Sequence, residues 1–277
     1  MRSGGLSGPS RRPVAGSANV ADYESVRTSP QSGARCRCAP GRKQDMSETG
    51  SLASSARFTA GTFVSLLEPD EWTRVHSLGH VVGFPAGSVL MHEREASDLV
   101  MILLEGHVKT TLIGEGGHEA LLSLRDPGDV LGELSAIDGQ PRIATVTALV
   151  AVSALVMPAE VFRRHLETTP RVAVALLVVV TRRFREATLV RSQFGGSDTI
   201  ARLSARLTEL ADRYGDRTED GIVIGLSLSQ EELGAWTGAS RAGLANALRT
   251  LRELRWIETR RRRIVVLDLA ALRDRAA

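Results

Sequence analysis

Leu228-Ser229-Gln230-Glu231-Glu232-Leu233-Gly234-Ala235-Trp236-Thr237-Gly238-Ala239-Ser240-Arg241, continuing through Ala242 to Leu254, is the stretch whose local signals agree best. Ser229 followed three residues later by Glu232 is a capping box that opens a short helix through Leu233 to Trp236. Gly238 permits a sharp turn, and Ser240 caps a second helix predicted from about Arg241 to Leu254. On that helix Leu244, Ala247, Leu248 and Leu251 share one side, while Ala242, Ala245, Asn246 and Arg249 share the other. A rod of about 20 Å with one buried and one free face, joined to its predecessor by a short glycine turn, has helix-turn-helix geometry and fits a major groove. Double-stranded DNA is the partner this arrangement predicts.

Downstream, Trp256-Ile257-Glu258-Thr259, Arg260-Arg261-Arg262-Arg263 and Ile264-Val265-Val266-Leu267 read as a hairpin whose arginine turn forms a wing able to neutralise phosphates. An arginine run in isolation is equally a solvated loop. Charge supports the phosphate reading: residues 237–277 hold ten Arg against four acidic side chains. The chain as a whole carries a net charge of only +3. The other basic end, residues 1–45, holds eight Arg/Lys against three acidic groups.

Upstream, Asp198 or Thr199 is placed to cap a helix with apolar positions Ile200, Leu203, Leu207, Leu210 and Ala211, and Gly195-Gly196 marks a hinge before it. Pro170 opens a longer helix, residues 170–194, whose first part, Val172 to Val180, is apolar on every side and so needs burial on two faces. Further along, Leu177, Val180, Phe184, Ala187 and Phe194 form one seam. The alternatives are a core helix within one domain and a dimerisation helix, with one side serving its own domain and the other a second subunit; the second is preferred.

Between Phe63 and Met157 short apolar segments recur about every 8–12 residues between Gly, Pro and Asp, the spacing of an antiparallel β-roll or jelly roll. Strands are expected at Gly79–Val82, Ser88–Met91, Leu99–Glu105, His107–Leu112, Glu119–Leu124, Val130–Leu131, Ala144–Ala148 and Ala151–Pro158, after a helix around Pro69–His76. Residues 1–45, with six Gly, seven Ser and four Pro, lack the apolar content to fold and read as a disordered extension, and Met46 reads as an alternative start. No secretory segment is expected.

Composition narrows the classes. No apolar run approaches the roughly 20 residues of a membrane span, and the chain reads as cytoplasmic. Cys36 and Cys38 are too few for a four-thiolate centre. His76, His80, His92, His107, His118 and His165 show no metal-cluster spacing, although one of them as a haem ligand stays open. No Gly-x-Ser-x-Gly, phosphate-loop or zinc-protease motif occurs, and the protein reads as non-enzymatic.

The order of β-roll, long helix and winged helix-turn-helix, with the 228–241 segment, resembles the Crp/Fnr family of bacterial transcription regulators over roughly residues 60–268. Gly132-Glu133-Leu134-Ser135-Ala136-Ile137-Asp138-Gly139-Gln140-Pro141-Arg142-Ile143-Ala144-Thr145-Val146 is similar to the phosphate cassette of cyclic-nucleotide-binding domains. The resemblance implies that Arg142 holds a cyclic phosphate, that Glu133 accepts from a ribose hydroxyl, and that backbone N–H groups near Ile143 and Ala144 complete the anion site. Gly132, Leu134 and Thr188 complete the implied effector set, with Ala187 lacking the second hydroxyl. A Glu133–Arg142 pair could equally be scaffold. Ile143 supplies no hydroxyl, so cAMP is favoured over cGMP as the candidate allosteric effector.

The DNA contacts expected are Ser229, Gln230, Ser240, Arg241, Ala242, Asn246, Arg249, Arg260, Arg261 and Arg262. The resemblance itself implies the phosphate and guanine contacts of Ser240-Arg241 and places Ala242 and Asn246 as the next readers. Ala242 and Asn246 depart from the glutamate and arginine of the best-known members. A methyl group accepts nothing from cytosine, and an amide prefers adenine, which implies a different operator.

The expected fold is α+β: an extension over 1–50, a β-roll over 58–168, a dimerisation helix and hinge over 169–196, and a winged helix-turn-helix over 197–277. The expected protein is a homodimer on a palindromic site, with RNA polymerase as a further candidate partner and no membrane. The competing readings are a nucleotide-binding signalling module whose C-terminal domain contacts protein, and a regulator with a different effector or none.

Overall fold

The computed structural model describes residues 58–96, 98–114, 119–193, 198–226, 228–260 and 263–276, with the side chains of 190–193 outside the description. The readings made for residues 1–50, including Met46, Cys36 and Cys38, and for Phe194, Gly195-Gly196, Arg261 and Arg262 lie outside the described residues.

Helix α1 (Pro69–His76) begins with Pro69 and a capping box in which Glu68 and Glu71 exchange bonds. Eight strands follow, β1 (His80–Phe84), β2 (Val89–Met91), β3 (Leu99–Glu105), β4 (Val108–Ile113), β5 (Glu119–Arg125), β6 (Val130–Leu131), β7 (Thr145–Ala148) and β8 (Val152–Pro158), with α2 (Glu133–Asp138) between β6 and β7. They pair antiparallel as two sheets, β1-β8-β3-β6 and β2-β7-β4-β5. Phe84, Leu90, Met101, Leu103, Val108, Val146 and Ala154 form the core between them.

The first sheet is covered on both faces. Val100, Ile102, Leu155 and Met157 point away from the inter-sheet core and pack with Phe63, Trp72, Phe162, Val172, Leu176 and Val179. That is why β3 and β8 read as continuous apolar runs rather than alternating ones.

Helix α3 (Ala159–Thr168) is separate from α4 (Pro170–Gln193) because Thr169-Pro170 interrupts the backbone bonding. Along α4, Val172, Ala175, Leu176 and Val179 are buried against the β-roll. Val174, Leu177, Val178 and Phe184 are exposed, Phe184 at 71%. The apolar run expected to need burial on two faces thus covers one within this chain and presents the other.

The second half contains α5 (Thr199–Tyr214), β9 (Gly215–Thr218), β10 (Gly221–Ile224), α6 (Gln230–Thr237), α7 (Arg241–Glu253), β11 (Ile257–Arg260), β12 (Arg263–Val266) and α8 (Leu269–Ala276). Asp198 caps α5, accepting from Ala201 N at 2.7 Å. The sheet order β11-β12-β10-β9 makes the wing the edge of a four-stranded sheet; the sequence reading anticipated neither its β9–β10 hairpin nor helix α8, which packs against α5. Arg260 and Arg263 prove to be paired strand residues rather than parts of a four-arginine turn.

Leu121 and Leu124 of β5 join the cluster formed by Leu203, Leu207, Leu233, Trp236, Leu244, Leu248 and Leu251. Polar contacts reinforce this attachment. Asp126, only 3% exposed, receives Arg213 Nη2 at 2.5 Å and Tyr214 Oη at 2.7 Å from the end of α5. His107 Nδ1 lies 3.1 Å from the same carboxylate and must carry the proton, because an ionised carboxylate only accepts. Lys109 of β4 pairs with Glu232 of α6.

Burial alone would raise the Asp126 pKa, but the bonds from His107, Arg213 and Tyr214 outweigh it and hold the group at about 2. Its ordinary value of 3.8 applies unfolded. Stability from this carboxylate is therefore complete above pH 4 and lost as pH falls toward 2, to the extent of about 2 kcal/mol. Asp126→Asn should already lack that contribution at neutral pH and show a flatter acid limb than the parent when urea midpoints are measured from pH 6 to pH 2.

Candidate functional site

The cassette starts where β6 ends. Gly132 takes φ +79°, and a Cβ there would stand 1.8 Å from Arg142 Nη1, so only glycine lets the guanidinium lie across this turn. The backbone of Arg142 is fixed on both sides: its N–H donates to Glu95 O at 2.9 Å, and its carbonyl accepts from Arg94 N at 2.7 Å. The side chain is 7% exposed, and Nη2 donates to Leu99 O. Nη1 is buried without a hydrogen-bond partner. Burial pulls the Arg142 pKa below its usual value, with Glu133, Glu95 and Asp98 opposing. A buried guanidinium with a spare donor is uncompensated, and an anion is the natural complement.

Glu133 is buried too, but its partner is not Arg142. Glu133 Oε1 accepts from Arg183 Nη1 at 2.7 Å, while Arg183 Nη2 donates to Asp129 Oδ1 at 2.7 Å and both nitrogens approach Val130 O at 3.1 Å. The Glu133–Arg142 pair weighed as a scaffold alternative is therefore not formed. Burial works against the Arg183 charge, but Glu133 and Asp129 prevail and raise its pKa. Arg183 escaped the sequence reading although a signal was present: it continues the buried stripe Val172, Leu176, Val179 by one turn, so a charge there requires carboxylates on the β-roll.

The remaining expected effector residues are less engaged. Leu134 and Ala144 are half-buried, and Ile143 is 61% exposed. Thr188 is exposed and its hydroxyl donates to Phe184 O of its own helix at 2.9 Å. Within one chain the structure brings together Gly132, Glu133 and Arg142, with Arg183 added, but does not engage Thr188 with them.

In the second half, Ser229 Oγ accepts from Glu232 N at 3.1 Å and Glu232 Oε2 accepts from Ser229 N at 2.6 Å, closing the predicted box. Gly238, at φ +61°, ends α6. Ser240 Oγ accepts from Gly243 N at 3.1 Å to start α7. Leu244, Ala247, Leu248 and Leu251 are buried, and Ala242, Ala245, Asn246 and Arg249 are exposed, so the two faces fall where the spacing put them. Helix α7 ends at Glu253, one residue short of the expected boundary.

Arg241 extends into solvent and donates to Glu231 Oε1 at 2.9 Å. Gln230 is exposed at the start of α6. Asn246 Oδ1 accepts from Arg249. Arg260 is held by Glu258 at 2.9 Å and Asp220 at 3.5 Å. These pairs are exposed and individually weak, so they orient the side chains without committing their donors.

Two family profiles match the chain: the cyclic nucleotide-binding domain over residues 81–169 and the Crp-like helix-turn-helix domain over residues 201–275. The chain is 30% identical over 195 residues to a CRP-like cAMP-activated global transcriptional regulator of Mycobacterium tuberculosis, covering 70% of this chain and 87% of that protein. It is 27% identical over 198 residues to the cAMP-activated global transcriptional regulator CRP of Escherichia coli O157:H7, covering 71% and 92%. Among solved structures, a CRP/FNR-family transcriptional regulator from Thermus thermophilus is similar with a TM-score of 0.62 and 25% identity over 71% of this chain and 98% of that one. Among the described residues no helix is long and apolar enough to cross a membrane.

Gly132→Ala should lower stability by about 1–3 kcal/mol, through both the strained backbone and the collision with Arg142. In an Arg142→Ala background the collision disappears, and thermal melts should show a smaller effect of the same glycine substitution.

Proposed function

The chain belongs to the Crp/Fnr family of transcription regulators, and on that premise we propose that it is a homodimer that reads DNA through α7 and senses an anionic nucleotide, with cAMP the candidate, at Arg142. The observation that carries the DNA part is the two-faced α7, with Asn246 and Arg249 outward over a packed Leu244–Leu251 face. Arg241 and Ser240 stand at its start, where the first base and phosphate contacts of such helices fall. Arg260 belongs to the wing and Ser229 and Gln230 to the start of α6, positions suited to phosphates. Arg261 and Arg262 join the wing contacts in this reading.

The exposed stripe Val174, Leu177, Val178 and Phe184 on α4 supports pairing with a second copy, because a soluble helix does not leave such a row to water without a partner. Two-fold pairing places two α7 helices on half-sites about 34 Å apart, hence a palindromic operator.

The spare Nη1 of Arg142 supports an anionic effector over none. Gly132, Leu134, Ile143 and Ala144 would line its phosphate side and Glu133 its ribose. In this reading Thr188 acts from the exposed side of α4. The cAMP relatives supply the candidate identity.

Genomic footprinting gives the operator. Gel-shift titration on it should then show Arg241→Ala weakening binding by about 1–3 kcal/mol, roughly 5- to 150-fold. Unchanged affinity removes Arg241 from the contact set. Parent binding should also fall steeply with salt, which a protein-docking module would not show. Calorimetric titration with cAMP should give heat with the parent and none with Arg142→Ala. Absence of heat with folded parent up to about 1 mM ligand, a free energy weaker than about 4 kcal/mol, eliminates cAMP.

A further inference from the structure

Helices α4 and α5 are consecutive in the chain, and both are gripped by the same four residues of the β-roll. Asp129 accepts from Arg183 of α4 at 2.7 Å. Asp126 accepts from Arg213 at 2.5 Å and Tyr214 at 2.7 Å at the far end of α5. Both residues are nearly inaccessible, Asp126 at 3% and Asp129 at 6% exposed.

The turn that carries them is rigid. Asp126 N donates to Asp129 Oδ2 at 3.0 Å and Asp129 N returns a bond to Asp126 O at 2.9 Å. Gly128 N donates to Leu103 O at 2.7 Å, Leu103 N to Asp129 O at 2.9 Å, and Val64 N to Gly128 O at 3.0 Å. At φ +93°, Gly128 has no room for a Cβ, which would meet Thr62 Oγ1 at 2.3 Å. The two carboxylates therefore cannot move apart, and the Asp126 N–H bond makes the Asp129 side chain part of the mount for Asp126.

We infer that Asp126-Pro127-Gly128-Asp129 is a clasp across the connection between α4 and α5, holding one helix through Arg183 and the other through Arg213 and Tyr214, so that the angle between them is fixed until either grip opens. The arginine on the α4 side is shared with Glu133. A ligand hydroxyl that claimed Glu133 would loosen that grip, a consequence that rests on the effector reading above, whereas the clasp itself does not. Lys109–Glu232 and the packing of Leu121 and Leu124 remain as a second attachment, so opening frees the end of α5 first and loosens α6 without detaching the DNA domain.

Hydrogen–deuterium exchange on the full chain without nucleotide tests the clasp. Arg183→Met touches neither α5 nor α6, yet it should speed exchange several-fold in residues 209–214 and 230–237. Arg213→Met should do the same, and the double variant should be no faster than Arg213→Met alone, because a clasp open at one end has nothing left to lose at the other. Arg171→Met, which removes an α4 arginine paired with Glu68 and Glu71, should leave both segments unchanged. Acceleration by Arg183→Met confined to the cassette and α4, or additive effects of the pair, overturns the inference. Should Arg183→Met unfold the β-roll, Asp129→Asn cuts the same link from the other side and is read against the same two outcomes. With no nucleotide in the experiment, its result is independent of the cAMP titration.

Discussion

A guanidinium withdrawn from water must be met by carboxylates or carbonyls, and in this protein that requirement fixes how the pieces join. Arg183 reaches from α4 between Glu133 and Asp129. The apolar stripe below it supplies the burial, but an apolar stripe tolerates sliding. Two directed bonds at 2.7 Å set the register of α4 on the β-roll and place the cassette, through Glu133, against the helix. Asp126 does the equivalent for α5, and neither joint works if its acid is protonated or its arginine shortened.

Arg142 is the exception that gives the site its meaning. It meets Leu99 O and lies in the field of Glu133, Glu95 and Asp98, yet one of its terminal nitrogens is unspent. By contrast, Asp126, Asp129 and Glu133 of the β-roll are each met by a guanidinium. Here the fold tolerates a deficit of acceptors, held open by a glycine with no side chain to fill the gap.

Much of this was legible in the sequence, and for physical reasons. Capping boxes and positive-φ glycines are local, so Ser229–Glu232, Gly238 and Ser240 fell where they were expected. Helical spacing correctly divided α7 into a buried and an exposed face, and β3 and β6 matched their expected bounds. What escaped was long-range. No local pattern marks Asp126 as the acceptor for Arg213, eighty-seven residues away, or Glu232 as the partner of Lys109 as well as part of a cap. The β9–β10 hairpin was missed because Gly215–Thr218 is almost wholly exposed and polar, held by pairing with β10 rather than by an apolar face. Arg183 was the one long-range residue with a readable clue, its place on a buried stripe.

The packing of Leu121 and Leu124 into the core of the second half bears on how such proteins diversify. A reader domain whose interior is completed by two leucines from the sensor is not a free-standing cartridge. Grafting residues 198–277 onto a foreign sensor would leave an unfilled hollow against α6 unless the β5 leucines travelled with it. Recombination between relatives should therefore succeed at junctions that keep β5 and α6 from the same parent, and new sensor–reader combinations should arise by substitution within the pair more readily than by exchange of halves.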